Sequence, residues 1–128
     1  MGKLATKVLV VDDHHTMVRI ITNLLGQIGF KNFDSASHGG EALTKLRGDT
    51  YGLIISDWNM EPMSGLALLK EVRADEKLAK LPFIMVTAEA KPENVLAAKQ
   101  AGVNNYIVKP FNGATLKQKI EAVLGPLA

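Results

Sequence analysis

Cysteine is absent from the 128-residue chain, which removes disulfides and the common thiolate zinc sites and fits a reducing compartment. Long apolar runs are missing too: none approaches the roughly 20 residues that a bilayer-spanning helix needs, and no secretory leader is recognisable. Aromatic residues make up only 5%, and 15 basic residues nearly balance 13 acidic ones. With a formal charge of +2, no basic stripe and no base-stacking aromatics, neither nucleic acid nor a membrane is an expected partner. The expected location is cytoplasmic. The opening MGKLAT formally fits a myristoylation pattern, but nothing beside it supplies the second anchor that stable attachment needs.

What is present is a repeating order. Short apolar runs rich in Val, Ile and Leu recur at residues 7–11, 51–56, 81–87 and 104–109, as expected of strands buried on both faces. Residues 32–37, NFDSAS, alternate with polar groups and suit an edge strand. Between them stand segments of helical spacing, carried by Met17, Ile20, Ile21, Leu24, Leu25 and Ile28, by Ala42, Leu43 and Leu46, by Leu66, Leu69 and Val72, by Val95, Ala98 and Val103, and by Leu116, Ile120 and Val123. Five βα units in this length predict one α/β domain over residues 1–128, a doubly wound five-stranded parallel sheet with five helices. In such sheets ligands bind beyond the carboxyl ends of the strands.

Those ends carry Asp12 and Asp13, Asp57, Thr87 and Lys109. Singly, an Asp or Thr there is a helix cap and a loop lysine is solvated. Together they form a set of complementary chemistry: three carboxylates repel by about 1 to 4 kcal/mol per close pair, and a hard divalent cation removes that cost. Magnesium prefers oxygen ligands and suits such a set with a phosphoryl group nearby. Zinc ranks below it, because adjacent His14 and His15 do not share the four-residue helical spacing of paired zinc ligands. An Asp carboxylate is also a nucleophile for phosphoryl transfer, and Asp57, after the central apolar run, is the best placed.

The motifs VVDD, SDWNM, VTAEA and YIVKPF, in this order and spacing, resemble the receiver domain of two-component response regulators along the whole chain, and most closely its single-domain chemotaxis members. The resemblance implies a flavodoxin-like strand order, 2-1-3-4-5. It implies that Asp57 accepts a phosphoryl group from a chemotaxis-type histidine kinase in a Mg²⁺-dependent reaction, with Asp13, Asp57 and the Asn59 carbonyl as ligands and Asp12 acting through water. Thr87 and Lys109 would hold the phosphoryl group, and Tyr106 would turn inward as Thr87 moves. Helix 4, strand 5 and helix 5 would then present the output face to a flagellar motor switch protein. Lys109-Pro110 matches a pair whose peptide bond is cis in the family.

The resemblance further implies that Asn59, Glu89 and His14 stand at positions that would modulate the site, Asn59 and Glu89 through phosphoryl lifetime, so a phosphatase partner belongs to the same expectation. The resemblance also implies a monomer that is not an enzyme towards other substrates but promotes its own phosphorylation and dephosphorylation. Proline is displaced by one residue in Met60-Glu61-Pro62, which puts the extra carboxylate of Glu61 beside the metal loop. Residues 91–128 hold five lysines against two glutamates, a mild excess that leaves room for an acidic partner.

Two alternatives stay open. A receiver of this kind can drain phosphoryl groups from a kinase, or serve another phosphorelay, without binding a motor. An Asp-nucleophile, metal-dependent phosphatase is more remote, because that chemistry usually places a second Asp where this chain has Asn59.

Overall fold

Strands whose residues are apolar on both sides must lie where both sides are covered, and this sorts the sheet. The computed structural model describes residues 3–88 and 91–127. Three strands are buried throughout: β1 (Val8–Val11), β3 (Leu53–Asp57) and β4 (Phe83–Thr87). The two with exposed positions, β2 (Phe33–Ala36) and β5 (Asn105–Val108), form the edges. All pairings are parallel, as the sequence pattern predicts, and the order is 2-1-3-4-5, as the resemblance implies. The expected strand limits are trimmed by one or two residues, except that β3 runs one residue further and includes Asp57.

Five helices complete the crossovers: α1 (His15–Ile28), α2 (Gly39–Gly48), α3 (Gly65–Ala74), α4 (Pro92–Gln100) and α5 (Gly113–Leu124). Alternate strand residues point to opposite faces, and the core divides accordingly. Val8, Val10, Leu53, Ile55, Ile84, Val86 and Ile107 pack with Ile21 and Leu25 of α1 and Leu116 and Ile120 of α5. Leu9, Val11, Ile54, Phe83 and Met85 pack with Leu43 and Leu46 of α2 and Leu68, Leu69 and Val72 of α3. Among the described residues no helix is long and apolar enough to cross a membrane.

Two expected core stripes are thinner than their spacing suggests. Ile20 of α1 is 42% exposed, because Ile21 and Leu25 take the inward positions. In α4 only Ala98 is buried and Leu96 is 56% exposed, so this helix is held by little apolar area.

Polar ties hold the amino-terminal side of the sheet. Arg73, on α3, donates to the carbonyls of Ala79, Leu81 and Gly102 and to Asn104 Oδ1, at 2.6 to 3.2 Å. Asn104 Oδ1 also accepts the Phe83 backbone N–H at 2.8 Å. One guanidinium therefore binds the turn before β4 to the turn before β5, and burial lowers its pKa. Lysine cannot reproduce that planar fork. Arg73→Lys is expected to cost about 2 kcal/mol in urea denaturation, because several carbonyls lose a charged donor.

Candidate functional site

The ladder does not stop at the last residue of each strand. Asp12 N–H donates to Ala36 O, Trp58 N–H to Val86 O, and Lys109 N–H to Thr87 O, at 2.7 to 3.1 Å. These bonds fix the backbone from which the polar side chains at the carboxyl edge project. Strand alternation then decides their side. Asp57 shares the parity of Leu53 and Ile55, and Lys109 that of Ile107, so both belong to the α1/α5 face. Thr87 follows Phe83 and Met85 on the other face, where Tyr106 packs as well.

On the first face Lys109 Nζ lies 2.9 Å from Asp57 Oδ1, and Asp57 is only 3% exposed. Asp12 is 2% exposed, and its Oδ1 accepts the His14 backbone N–H at 3.0 Å. Burial, then the Asp57 charge, raises the Asp12 pKa, against the lowering effects of the His14 N–H and Lys109. Asp12 Oδ2 is the one buried side-chain polar atom without a partner among the described residues. One oxygen from each of Asp12, Asp13 and Asp57 and His14 Nδ1 lie within 4.8 Å of one another. Hard oxygen donors of like charge, one aimed at nothing, fit a divalent cation such as magnesium.

Asn59 is exposed and lines two recesses. One, of about 310 Å³, is shared with Asp13, Met60 and Glu61; the other, of about 190 Å³, with Trp58, Thr87, Ala88, Lys91 and Asn94. Glu61 is exposed at the rim, so its carboxylate stands beside the acidic group without being buried in it. The Glu61-Pro62 and Lys109-Pro110 peptide bonds are both cis. On the second face the Thr87 hydroxyl hydrogen-bonds the Tyr106 phenol, whose pKa is raised by burial. Glu89 lies outside the described residues.

Gly65 has a role in the site that sequence spacing did not reveal. Its N–H donates to Trp58 O at 2.8 Å, and a Cβ there would come within 2.2 Å of Asp57 O and 2.9 Å of Trp58 Cα. Only glycine lets α3 begin this close to the end of β3. The available signal was Ser64-Gly65 just before an apolar helix, since Ser64 caps α3 by accepting the Ala67 N–H.

A model of the response regulator receiver domain matches residues 8–121. The chain belongs to that family. The receiver is similar to chemotaxis protein CheY-3 of Vibrio cholerae serotype O1, at 51% identity over 91% of this chain and 90% of that one. Among solved structures it is similar to chemotaxis protein CheY4 of Vibrio cholerae, with a TM-score of 0.89 and 35% identity, over 94% of this chain and 99% of that one. It is also similar to the receiver domain of a sensor histidine kinase from Pseudomonas aeruginosa, with a TM-score of 0.85 and 26% identity, over 95% of this chain and 99% of that one. That structure has a magnesium ion coordinated in its active-site cleft.

Asp12 supplies a pH test of the receiver without metal. Its folded pKa lies above the ordinary 3.8, so between the two values the native state binds more protons than the unfolded chain. Its contribution to stability is full below the lower value and is lost as pH rises through the higher. In EDTA, Asp12→Asn should therefore stabilise the neutral-pH protein by about 1 kcal/mol, a gain that shrinks towards about pH 4 in urea melts. Gly65→Ala should cost about 3 kcal/mol in the same assay, since the clash is with backbone.

Proposed function

We propose that the chain is a single-unit, chemotaxis-type response regulator whose Asp57 accepts a phosphoryl group from a histidine kinase. The observation that carries this reading is the buried Asp57 carboxylate, paired through Oδ1 with Lys109 and set beside Asp12 and Asp13 at the sheet's carboxyl edge. Transfer needs positioning and charge neutralisation more than covalent assistance. An Asp57 oxygen attacks phosphorus, the phosphorus–nitrogen bond of the phosphohistidine breaks, and the freed imidazole takes up a proton. Lys109, held by the backbone bond to Thr87, neutralises charge on the carboxylate and then on the phosphoryl oxygens. Asp13, Asp57 and the Asn59 carbonyl would hold Mg²⁺, with Asp12 acting through water, and the bound ion would supply further charge neutralisation. The same pocket lets water remove the group later, so the protein promotes both halves of its own cycle without acting on other substrates. Asn59 and Glu89 are the residues expected to set how fast.

Thr87 reaches for the phosphoryl group and Tyr106 follows it, since their hydroxyls are already linked. The readout is a two-state shift of α4, β5 and α5. Leu96 on α4 and Val108 on β5 are exposed, and they favour a protein-binding output, a motor switch protein, over a phosphate sink. The test is transfer from a phosphorylated histidine kinase to the wild type and to Asp57→Asn, read by intact mass. The wild type should gain one phosphoryl group that EDTA suppresses, and Asp57→Asn none. Rapid draining of the kinase with no binding of the phosphorylated chain to a motor-switch peptide would assign it to the sink instead.

A further inference from the structure

The residue that opens α1 does not behave as a cap. His38, Ser64 and Asn112 each accept a backbone N–H at the start of α2, α3 and α5, whereas the His14 side chain makes no such bond. Its imidazole turns back over the acids instead, with Nδ1 2.9 Å from Asp13 Oδ1 and 3.2 Å from Asp12 Oδ1. Nδ1 thereby joins the three carboxylates in one cluster of ligand-type atoms. A separate observation points to a ligand at this cluster: among the described residues, Asp12 Oδ2 is buried without a partner.

We propose that His14 is a nitrogen ligand of the divalent-cation site, which makes the site a mixed nitrogen and oxygen one and widens its preference for transition ions such as Co²⁺ or Ni²⁺ over Mg²⁺. This rests on the reading of the acidic cluster as a cation site. Magnesium is a hard ion that retains water and gains little from an imidazole. Co²⁺ and Ni²⁺ lie above the early divalent ions at oxygen and nitrogen sites alike, and because they bind imidazole well, one nitrogen widens that gap. The His14 side chain is 71% exposed, and it is therefore free to reorient from Asp13 onto an ion without disturbing the core. The competing account is an imidazole N–H donated to Asp13 and nothing more, which carries no metal preference.

The test titrates wild type, His14→Phe and His14→Gln with Mg²⁺ and Co²⁺, following Trp58 fluorescence and the visible absorption of Co²⁺. Circular dichroism melts in EDTA check that the variants are folded. Removing the imidazole should weaken Co²⁺ binding at least ~10-fold and change the Co²⁺ absorption band, with a clearly smaller loss for Mg²⁺. Equal loss for both ions, or no loss for Co²⁺, overturns the assignment. Mg²⁺ binding and Asp57 phosphorylation that persist alongside such a result would leave the proposed function standing. Absence of any ion's effect on the wild type, in fluorescence and in melting, would remove both.

Discussion

Three carboxylates brought to one edge of a sheet repel each other, and Lys109 offsets them only in part. Lys109 lies 2.9 Å from Asp57, yet Asp12 and Asp13 remain, and among the described residues one oxygen of Asp12 is buried with no partner. The apolar frame tolerates this imbalance because it is settled elsewhere: β1, β3 and β4 are buried over their whole length and covered by helices on both faces. The cost of gathering the charges is thus carried by the core, and a cation or a phosphoryl group would meet groups already in position. That preorganisation is what makes the edge a site and leaves the rest of the receiver as its support.

The alternation of the strands also divides the site into two parts. Asp57 and Lys109 belong to the face packed by α1 and α5, while Thr87 and Tyr106 belong to the opposite face. A phosphoryl group on Asp57 would therefore act through Thr87 on the half of the molecule that contains α4. That helix buries only Ala98 and leaves Leu96 exposed, so little packing energy opposes its movement. Arg73 ties down the other end of β4 and β5 through four acceptors. The division between a well-packed half and a weakly held helix follows from the same period-two geometry that sorts the charges.

Much of this was legible in the residues. Runs such as VLVV and LIIS cannot be stable exposed, and their alternation with helical spacing leads to a parallel sheet whose carboxyl edge gathers Asp12, Asp13, Asp57, Thr87 and Lys109. Other features were not legible, because they depend on distances between segments. Gly65 reads as a turn residue until its approach to the Asp57 backbone is seen, and Arg73 reads as a solvated helical cation until its carbonyl partners are known. His14 is a further case: adjacent histidines argue against a zinc motif by spacing, but spacing says nothing of an imidazole that folds back to within 2.9 Å of Asp13. The apolar stripes of α1 and α4 were overstated for a related reason, since a period gives a helix a face but not the width of the surface awaiting it.

By itself, the sequence determined the type and order of the elements, the parallel sheet and the identity of the polar residues at its strand ends, because hydrophobic period and chain connectivity are local properties. Only the tertiary structure decided which of those residues touch. It paired Lys109 with Asp57, put Thr87 with Tyr106 on the other face, left Asp12 Oδ2 without a partner among the described residues and brought His14 to the acids. These contacts join residues up to 52 positions apart, and they depend on strand register and helix placement to within an ångström or so. No pattern along a single chain carries that precision, because contact energies depend on distance in space and the pattern records only separation in sequence.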